Sequence, residues 1–534
     1  MTSSAAFGPA AVMGGAIGTP NIETLFGQYG RKYRWLVTWT SMIGNFATLL
    51  TGTIINVAIP NIMGAFGMTQ DQAQWLASGY LAATTIAMLL SAWAIEVWGM
   101  SRAFNTSMAV FLVGSLMGGL ATSTELLIFS RIIQGLGSGL MMPLSMLIIF
   151  QVFPPNRRGW AMGIQSVGMI LAPACGPVIG GALVDNFDWR YVFFIAVPFA
   201  MFSIPMAMLF MPKREPNAKS PAVDWTGIAL LTASISCFLT LASSGPRYGW
   251  ESDFVAVLAL GGVTTTIAFL YWEVYVEDPI FDLRLFRNVR FASANLIGFC
   301  IGIGLFGSTY LVPIFLQVVQ GLIPTDAGLL LLPAGLLMAI VFPVAGRMAD
   351  ILAPRYLIVP GIILFAISSI LFSNVDANTP FTTMALWAIC GRVGLALIFP
   401  CLQVATLRPL PPEQLAQGTA MSNFTRQLGG AVGVNVLVIY LQERTSVHVD
   451  ALTTTQAPGN VGTDMLINQI TPLLESAGVA SHYAYAGSTQ VLSAVIYLQG
   501  NMLAFRDCFL LIGVIFLCCV WLAFLMDNRP PARQ

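Results

Sequence analysis

Residues 49–66 read LLTGTIINVAIPNIMGAF, a hydrophobic stretch of helical length that carries the polar side chains Thr51, Thr53 and Asn56. What those polar groups do depends on what surrounds the helix, and the composition of the whole chain decides this. Of its 534 residues, 56% are hydrophobic and 9% are charged, and the mean hydropathy is +0.77. Soluble domains carry roughly 25% charged residues. The sequence therefore predicts an all-α integral membrane protein, and it contains no basic, aromatic-rich soluble segment that would bind nucleic acid.

Hydrophobic runs recur along the whole chain. Each is about 18 to 25 residues long, which is enough for a helix to cross a hydrocarbon core of about 30 Å. They predict 14 transmembrane spans, near residues 35–58, 73–95, 103–121, 126–150, 160–184, 191–211, 225–244, 254–274, 294–317, 327–349, 356–373, 382–407, 419–441 and 506–526.

The placement of Lys and Arg supports an even number of spans with both termini in the cytoplasm, because short cytoplasmic loops collect basic residues. With the N-terminus inside, 16 basic residues fall on inward segments: Arg31, Lys32, Arg34, Arg102, Arg157, Arg158, Lys213, Arg214, Lys219, Arg284, Arg287, Arg290, Arg355, Arg408, Arg529 and Arg533. Only 4 fall on outward segments, namely Arg190, Arg247, Arg444 and Arg506. A missing or additional span in the middle would place the later basic clusters on the wrong side.

The eight cysteines and the first 30 residues add two expectations. Every cysteine falls within a predicted span, so we expect neither a disulfide framework nor a metal site, and no cofactor. The first 30 residues lack a basic region followed by a hydrophobic core, and RKYR follows them. We therefore interpret the start of the chain as a cytoplasmic tail and not as a cleaved signal peptide.

Two similar links indicate an internal duplication. AWAIEVWGMSR follows the second span and AGRMADILAPR follows the tenth, and each places an acid, Glu96 or Asp350, at the inner end of a helix before a tight turn and an arginine. Such an acid can cap the helix that follows and latch two helices together, although a single copy would equally suit an ordinary basic loop. Duplicated halves are typical of secondary transporters.

The duplication divides the chain into five predicted segments. These are a cytoplasmic tail at 1–34, an N-terminal six-helix bundle at 35–211, two inserted transmembrane helices with cytoplasmic linkers at 212–293, a C-terminal six-helix bundle at 294–526, and a cytoplasmic tail at 527–534. The C-terminal bundle includes an outward loop at 442–505, too long for a simple turn. Its stretches GTDMLINQITPLLESAG and STQVLSAVIYLQGNMLAF have helical spacing, which predicts a helical hairpin that projects outward.

Four motifs resemble a known family. SRIIQGLGSG at 130–139 and APACGPVIGG at 172–181 resemble signature motifs of the major facilitator superfamily, and the second is similar to that of its exporters. With WRYVFFIAVP at 189–198, SNFTRQLGG at 422–430 and the 14-span layout, the chain looks like the EmrB/QacA group of drug:proton antiporters, most like its EmrB branch. The resemblance implies the major facilitator fold, proton antiport, the inner membrane of a Gram-negative cell, and a periplasmic adaptor protein and an outer-membrane channel as partners.

The glycines of the second motif also have a direct physical meaning. Gly176, Gly180 and Gly181 leave one helix face without side chains, so a neighbouring helix can approach closely, while Pro177 removes a backbone hydrogen bond and permits a bend. Such a helix can act as a hinge or a seal. Ordinary close packing of small residues in a bundle is the alternative.

Arg131 lies several residues inside the fourth span, where a guanidinium costs roughly 3 kcal/mol or more unless it meets a cavity or a partner. We expect it to point into the bundle, with Gln134 one turn along the same face. The alternative is that Arg131 extends outward to Glu125. Arg392, in the twelfth span, suits a structural role and a cavity equally well.

The opening stretch differs from the family at one position. The family commonly carries an Asp two residues before a sequence of the type TIVNVALP, and Thr51 stands at the matching position here. Threonine cannot carry a proton near neutral pH, so we consider Glu96, Glu125 and Asp350, all at span ends, for the coupling role. Thr51 and Thr53 can either line a cavity or bond to carbonyls of their own helix, whereas Asn56 is expected to face the bundle interior.

We therefore expect a multidrug-type efflux transporter of the inner membrane, not an enzyme, which exports amphipathic small molecules by alternating access. The predicted substrate-binding residues are Asn45, Asn56, Arg131, Gln134, Gln165, Asn423 and Gln427, and the predicted coupling or gating residues are Thr51, Glu96, Glu125, Gly176, Pro177, Gly180, Arg347 and Asp350. Because the acid of the first span is absent, an exporter of one anionic metabolite, siderophore or fatty acid, working by uniport or anion exchange, is the alternative. His448 and His482 both lie in the outward loop with no evident acid or Cys partner, so the sequence gives no catalytic cluster.

Overall fold

The computed structural model describes residues 20–214, 222, 224–277, 279–456 and 460–526, and their regular structure is entirely helical. The α-helices are α1 (Pro20–Tyr29), α2 (Tyr33–Phe66), α3 (Gln70–Gly119), α4 (Thr124–Gly139), α5 (Met141–Val152), α6 (Arg158–Asn186), α7 (Tyr191–Phe194), α8 (Ala196–Phe210), α9 (Trp225–Tyr248), α10 (Asp253–Tyr275), α11 (Val289–Val318), α12 (Pro324–Ala349), α13 (Arg355–Phe372), α14 (Phe381–Leu407), α15 (Leu415–Thr454), α16 (Val461–Ser476) and α17 (Ser481–Phe524). Short 3₁₀ turns occupy Gly30–Lys32, Pro155–Arg157, Leu283–Arg287 and Pro412–Gln414. Residues 1–19 of the predicted N-terminal tail and the whole predicted C-terminal tail, 527–534, lie outside the described residues.

Eleven helical segments of the described chain are long and apolar enough to cross a membrane. Helices also occupy each of the fourteen stretches predicted as spans, but two of those stretches belong to one element, α3. Gly99 interrupts α3 with φ 76° and ψ 161°, a conformation that side chains disfavour, so the helix changes direction there. Short polar side chains begin several of the helices, as with Thr69, whose hydroxyl and Gln72 form a capping box at α3.

Two large hydrophobic cores organise the helices. One is built from α1, α2, α3, α5, α6 and α8, and the other from α11 to α15 together with α17. Leu407, Leu415 and Ala420, from α14 and α15, are buried in the first core as well, so the two groups of helices are in contact. Because van der Waals packing holds helices together in a membrane, these shared residues fix how the two groups meet.

Helices α9 and α10 pack against one another, and the hydroxyls of Ser234 and Thr266 lie 2.7 Å apart between them. A small core joins this pair to both groups of helices: Leu231 and Phe269 come from the pair, Leu89 from α3 and Phe424 from α15. The inserted pair therefore lies beside the junction of the two groups.

The stretch 442–505 is helical over most of its described length. Helix α15 continues to Thr454, α16 covers Val461–Ser476, and α17 already begins at Ser481. Helix α16 packs on α17, and the Thr471 hydroxyl donates to that of Ser488 at 3.1 Å. Both stretches predicted to form a hairpin are thus helical and in contact, and α17 continues without a break into the last predicted span.

Candidate functional site

Arg131 is fully buried between α2, α3 and α4. Its Nε donates to the Leu76 carbonyl at 2.8 Å, and its Nη1 donates to the Gln134 Oε1 at 2.7 Å and, more weakly, to the Thr51 carbonyl at 3.5 Å. The guanidinium also lies 4.3 Å from the centre of the Tyr80 ring. A desolvated cation over an aromatic face gains about 2 kcal/mol, which offsets part of the cost of burial.

The environment of Arg131 decides between the two interpretations of this residue. Glu125 is exposed in the first turn of α4, and within the described chain the hydrogen bonds of Arg131 go elsewhere. Arg131 therefore points into the bundle, as the first interpretation expected, but it has no exposed surface in this state. Its Nη2 has no hydrogen-bond partner among the described residues, so both N–H groups of that nitrogen are unpaired there.

Gln134 links Arg131 to a second part of α3. Its Oε1 accepts from Arg131, and its Nε2 donates to the Ser115 hydroxyl at 2.8 Å. Since Leu76 and Ser115 lie on opposite sides of the interruption at Gly99, the pair Arg131 and Gln134 connects both halves of α3 to α4.

The polar groups of the opening stretch fall in two different environments. The Thr51 hydroxyl donates to the Ala47 carbonyl at 2.9 Å, and the Thr53 hydroxyl donates to the Leu50 carbonyl at 3.1 Å. Both threonines therefore bond to their own helix. The Asn56 side chain, by contrast, is exposed.

The glycines of α6 pack against α2. A Cβ on Gly176 would lie 2.4 Å from the Thr53 Oγ1, and one on Gly180 would lie 2.7 Å from the Ile54 Cγ1, whereas one on Gly181 would meet open space. Gly176 and Gly180 thus allow α2 and α6 to approach closely. The side chain of Pro177 lies outside the described part of the chain.

The second group of helices repeats both features. The Arg392 Nη2, on α14, donates to the Thr309 hydroxyl of α11 at 2.7 Å, much as Arg131 reaches Thr51. A Cβ on Gly429 of α15 would lie 2.2 Å from the Phe299 carbonyl oxygen of α11. In one group an arginine of α4 and a glycine of α6 contact α2. In the other group an arginine of α14 and a glycine of α15 contact α11 in the same way.

Asn423 and Arg426 bridge the two groups of helices. The Arg426 Nη2 donates to the Asn423 Oδ1 at 2.7 Å and lies 3.6 Å from the Met142 sulfur, and the Asn423 Nδ2 lies 3.5 Å from the Met146 sulfur. Arg426 was not among the predicted site residues, although its i+3 spacing from Asn423 matches that of Arg131 and Gln134. Gln427, next to it, is half-buried.

Two further predicted residues are buried amides. The Asn45 Nδ2 donates to the Ser145 hydroxyl at 2.6 Å, while its Oδ1 has no partner in the described chain. Gln165, on α6, is 3% exposed, and neither polar atom of its amide has a partner among the described residues. Unpaired buried amides are costly, so a group that bonded to the Gln165 amide would stabilise it.

Asp350 connects the two groups at the end of the molecule where α6 begins, which we call the inner end. Its Oδ1 accepts from the Gly159 backbone N–H at 2.6 Å, and its Oδ2 accepts from that of Trp160 at 2.9 Å. The carboxylate thus caps the N-terminus of α6, where the helix dipole favours negative charge. Burial nevertheless raises the pKa of Asp350 to about 6, because desolvation outweighs these hydrogen bonds and the positive charge of Arg408.

Backbone contact accompanies this cap. A Cβ on Gly159 would lie 2.3 Å from the Gly346 carbonyl oxygen, and one on Gly163 would lie 2.4 Å from the Phe342 carbonyl oxygen. Helices α6 and α12 therefore touch along a face without side chains, and the inner end is closed. Arg347, beside Gly346, is exposed.

Glu96, on α3, lies near the start of a helix of the opposite group, as Asp350 does. It lines a cavity of about 140 Å³ with Gln417, which lies in the first turn of α15. Asp350 therefore lies at the start of α6, and Glu96 lies near the start of α15.

Sequence reasoning missed a charged cluster between α15 and α17. The Arg444 Nε donates to the Asp507 Oδ2 at 2.6 Å, and the His448 Nε2 lies 2.8 Å from the same oxygen. The expectation that His448 has no acid partner was therefore wrong, and it failed because Asp507 lies 59 positions away along the chain. The one feature of the sequence that pointed to this cluster was Asp507, the single acid within the last predicted span.

Comparisons with known proteins agree with this architecture. The family model for the Major Facilitator Superfamily matches residues 41–434. The chain is 30% identical to Multidrug export protein EmrB of Escherichia coli K12, over 93% of this chain and 95% of that protein. It is 29% identical to the uncharacterized MFS-type transporter YhcA of Bacillus subtilis, over 88% of each, and 32% identical to the Multidrug resistance protein B homolog of Mycobacterium tuberculosis H37Rv, over 73% of each.

Two solved structures share the fold. The human organic anion transporter MFSD10 (TETRAN) aligns with a TM-score of 0.58 at 14% identity, covering 92% of this chain and 99% of that one. The proton:xylose symporter XylE aligns with a TM-score of 0.56 at 13% identity, covering 89% of this chain and 95% of that one. At such low identity the likeness concerns the fold alone.

Proposed function

The chain belongs to the major facilitator superfamily, and from that premise we propose that it exports amphipathic small molecules across the inner membrane by alternating access. It is a multi-pass membrane transporter of small molecules and not an enzyme. Export is supported by two relatives named Multidrug export protein EmrB, which align over 95% and 82% of their length. The observation that carries the mechanism is the closed inner end, where Asp350 caps α6 from the opposite group of helices.

The proposed topology has 14 spans with both termini in the cytoplasm. It comprises an N-terminal six-helix bundle at 35–211, two inserted helices within 212–293, and a C-terminal bundle at 294–526. The unequal distribution of Lys and Arg supports this orientation, because it places the basic clusters and the inner end on the cytoplasmic side.

In the proposed cycle this structure is the state that is closed to the cytoplasm. Helices α6 and α12 separate at Gly159 and Gly346 when the cytoplasmic side opens, while Gly176 and Gly180 keep α6 attached to α2. Helix α6 thus has a contact with α12 that must break and a contact with α2 that persists. This arrangement is consistent with a rigid-body movement of two bundles.

We propose that cargo meets a mostly apolar surface with few polar groups. In this state Asn56 and Gln427 are accessible, so they are the first polar contacts we assign to cargo. The others, Asn45, Arg131, Gln134, Gln165 and Asn423, are buried, and cargo reaches them only after the bundles rearrange. Apolar contact discriminates weakly between compounds, which suits a transporter of many amphiphiles.

Proton antiport is the proposed driving force, with Asp350 as one group that binds protons. A carboxyl whose pKa is raised to about 6 at a closing contact binds protons near the pH of the cell, and it does so more tightly when the contact is closed. Glu96 and Glu125 are the further candidates, and Arg347 is proposed to act in gating beside Asp350.

An exporter of an anionic metabolite, siderophore or fatty acid, working by uniport or anion exchange, is the second candidate. One observation favours it: among the described residues no carboxylate bonds to Arg131, whose Nη2 remains free in the bundle. Thr51, the position at which the family commonly has its acid, offers Arg131 only a carbonyl oxygen.

A periplasmic adaptor protein and an outer-membrane channel are the proposed partners, following the resemblance of the sequence motifs to the EmrB branch. The helices that carry 442–505 are the surface to which we assign the adaptor, because they project beyond the spans on the outward side of the proposed topology.

The test uses everted membrane vesicles with an acidic interior, to which ethidium, N-phenylnaphthylamine or 8-anilinonaphthalene-1-sulfonate is added as cationic, neutral or anionic amphiphile. Proton release on addition supports antiport. We expect Arg131→Ala to abolish it and Arg190→Ala, on a half-exposed arginine, to retain it. Uptake of the amphiphile without proton release would overturn antiport and favour the second candidate.

A further inference from the structure

The inserted helices carry two buried carboxyl groups that the mechanism above does not use. Asp224 is the N-cap of α9, and Glu273 lies in the last turn of α10. They are 8% and 2% exposed, respectively. Buried carboxyl groups of this kind are paired, protonated or functional.

Each carboxyl group has one satisfied oxygen and one free oxygen. The Asp224 Oδ1 accepts from the Gly227 N–H at 2.9 Å and from the Trp272 Nε1 at 2.8 Å, and the Glu273 Oε2 accepts from the Phe281 N–H at 3.0 Å. The Asp224 Oδ2 and the Glu273 Oε1 have no hydrogen-bond partner among the described residues.

The two free oxygens lie close together. A Cβ on Gly227 would be 2.2 Å from the Asp224 Oδ2 and 2.9 Å from the Glu273 Oε1, so the two oxygens are at most about 5 Å apart. Two carboxylates this close and this deeply buried do not readily both ionise, and binding one proton relieves the repulsion between them.

We infer that Asp224 and Glu273 form a pair that binds one proton while the inner end is closed and releases it when that end opens. The inference rests on the proposed proton antiport, for which it supplies a second proton-binding site. The ligand we assign is a proton, because each carboxyl group has one oxygen without a partner in the described chain and the two oxygens lie close together.

Most of the charged groups described around the pair are acidic. Asp224 lines the cavity of about 140 Å³ with Glu96 on α3, with Glu277 and Asp282 after α10, and with the cation Arg284. Among the described residues that line the cavity, acidic side chains therefore outnumber basic ones.

The segment that follows α10 connects the pair to the inner end. The Glu273 carboxyl group accepts a hydrogen bond from the Phe281 N–H. The Phe281 ring packs edge-on against that of Phe424 on α15, with the ring centres 5.7 Å apart. The Gln417 Nε2, in the first turn of α15, donates to the Pro279 carbonyl at 3.4 Å. When α15 moves away from α3 as the inner end opens, this segment moves with it, exposes Glu273 to water and lowers its affinity for the proton.

The first test uses the wild-type protein in lipid, so it does not depend on a variant that folds. N,N′-dicyclohexylcarbodiimide reacts with protonated carboxyl groups in apolar surroundings, and mass spectrometry locates the adduct. We expect labelling of Glu273 or Asp224 that falls as the pH rises, and little labelling of the exposed Glu277. Absence of an adduct on both members of the pair would overturn the inference.

The second test compares Glu273→Gln and Asp224→Asn in proteoliposomes with Glu251→Gln as the matched control, on an exposed acid between α9 and α10. The probe is the amphiphile with the largest proton release in the vesicle assay. We expect both pair variants to retain counterflow exchange of the probe and to lose accumulation driven by a pH gradient, while Glu251→Gln retains both. Pair variants that accumulate the probe as well as wild type does would overturn the inference.

The two proposals fail in different ways. Wild-type protein that exchanges the probe but never accumulates it under a pH gradient would overturn proton antiport, and the antiport role of the pair with it. Gradient-driven accumulation by wild type that survives in both pair variants overturns the pair alone.

Discussion

Gly163 provides the sharpest test of the closed inner end. The Gly163→Ala substitution adds one methyl group, whose carbon would lie 2.4 Å from the Phe342 carbonyl oxygen and 3.0 Å from the Pro343 Cα. Both are backbone atoms of α12, so neither can move aside by rotating a side chain. Ordinary contact at 3.4 Å or more requires α6 and α12 to separate by about 1 Å, which opens the cap at Asp350.

The size of the effect follows from the cost of overpacking. One added methyl in a close-packed site costs about 1–3 kcal/mol, and here it penalises only the state in which α6 touches α12. At about 1.4 kcal/mol per tenfold change, the closed state loses a factor of roughly 5 to 150 relative to the open state. Alanine favours helix in both states, so that preference cancels.

The assay is a pulsed electron spin resonance distance measurement between labels at Asn156 and Ile351, both exposed near the inner ends of α6 and α12. The labels are attached to cysteines in a background without the eight native cysteines. We expect Gly163→Ala to increase the population at longer distance. The matched control is Gly168→Ala on the same helix, whose methyl would meet only the flexible Met42 side chain at 3.3 Å.

A wild-type distance distribution for Gly163→Ala would contradict the closed contact, since two backbones cannot then touch at this position. The closed contact would also be contradicted if Gly168→Ala shifted the distribution equally, because the effect would then come from the added helix stability and not from the contact with α12.

Three further predictions follow from other parts of the site. The pKa of Asp350 is raised to about 6 in the closed state, so lowering the pH through 6 should favour closure and raising it should oppose closure. The same spin-label pair measures the distance change with pH, and Asp350→Asn should reduce that change. Arg131→Lys cannot donate to Leu76 and Gln134 with the same geometry, so we expect a lower thermal unfolding midpoint and weaker efflux, whereas unchanged values would contradict a structural role for the guanidinium. Gly176→Val should force α2 and α6 apart at Thr53 and lower both expression and transport, and normal transport would show that this contact is dispensable.

The helical fold could be predicted from the sequence because hydrophobic length alone indicates a span. Helices occupy all fourteen predicted stretches, and the i+3 spacing of Arg131 and Gln134 does place them in contact. We expected a tight turn between two spans at Gly99. In the structure, α3 continues across Gly99 with a kink, and no sequence rule distinguishes a kink from a turn at this position.

The site was harder to predict because its contacts join distant parts of the chain. Sequence reasoning expected Asp350 to cap the helix that follows it, whereas it caps α6, about 190 positions earlier. The pair Asp224 and Glu273 was missed for the same reason, since the residues next to either acid in the sequence do not indicate that the other acid lies close to it. Only the packed structure shows that both carboxyl groups are buried and close together.

The contact between Gly159 and Gly346 has an electrical consequence. Since a methyl group on either glycine would lie within 2.3 Å of the opposing carbonyl oxygen, no file of water molecules fits between α6 and α12 at this level. The closed inner end therefore acts as an insulator at this contact. A transporter that is proposed to draw on the proton gradient gains from such a barrier, because each conductive gap would short-circuit the membrane voltage that drives it.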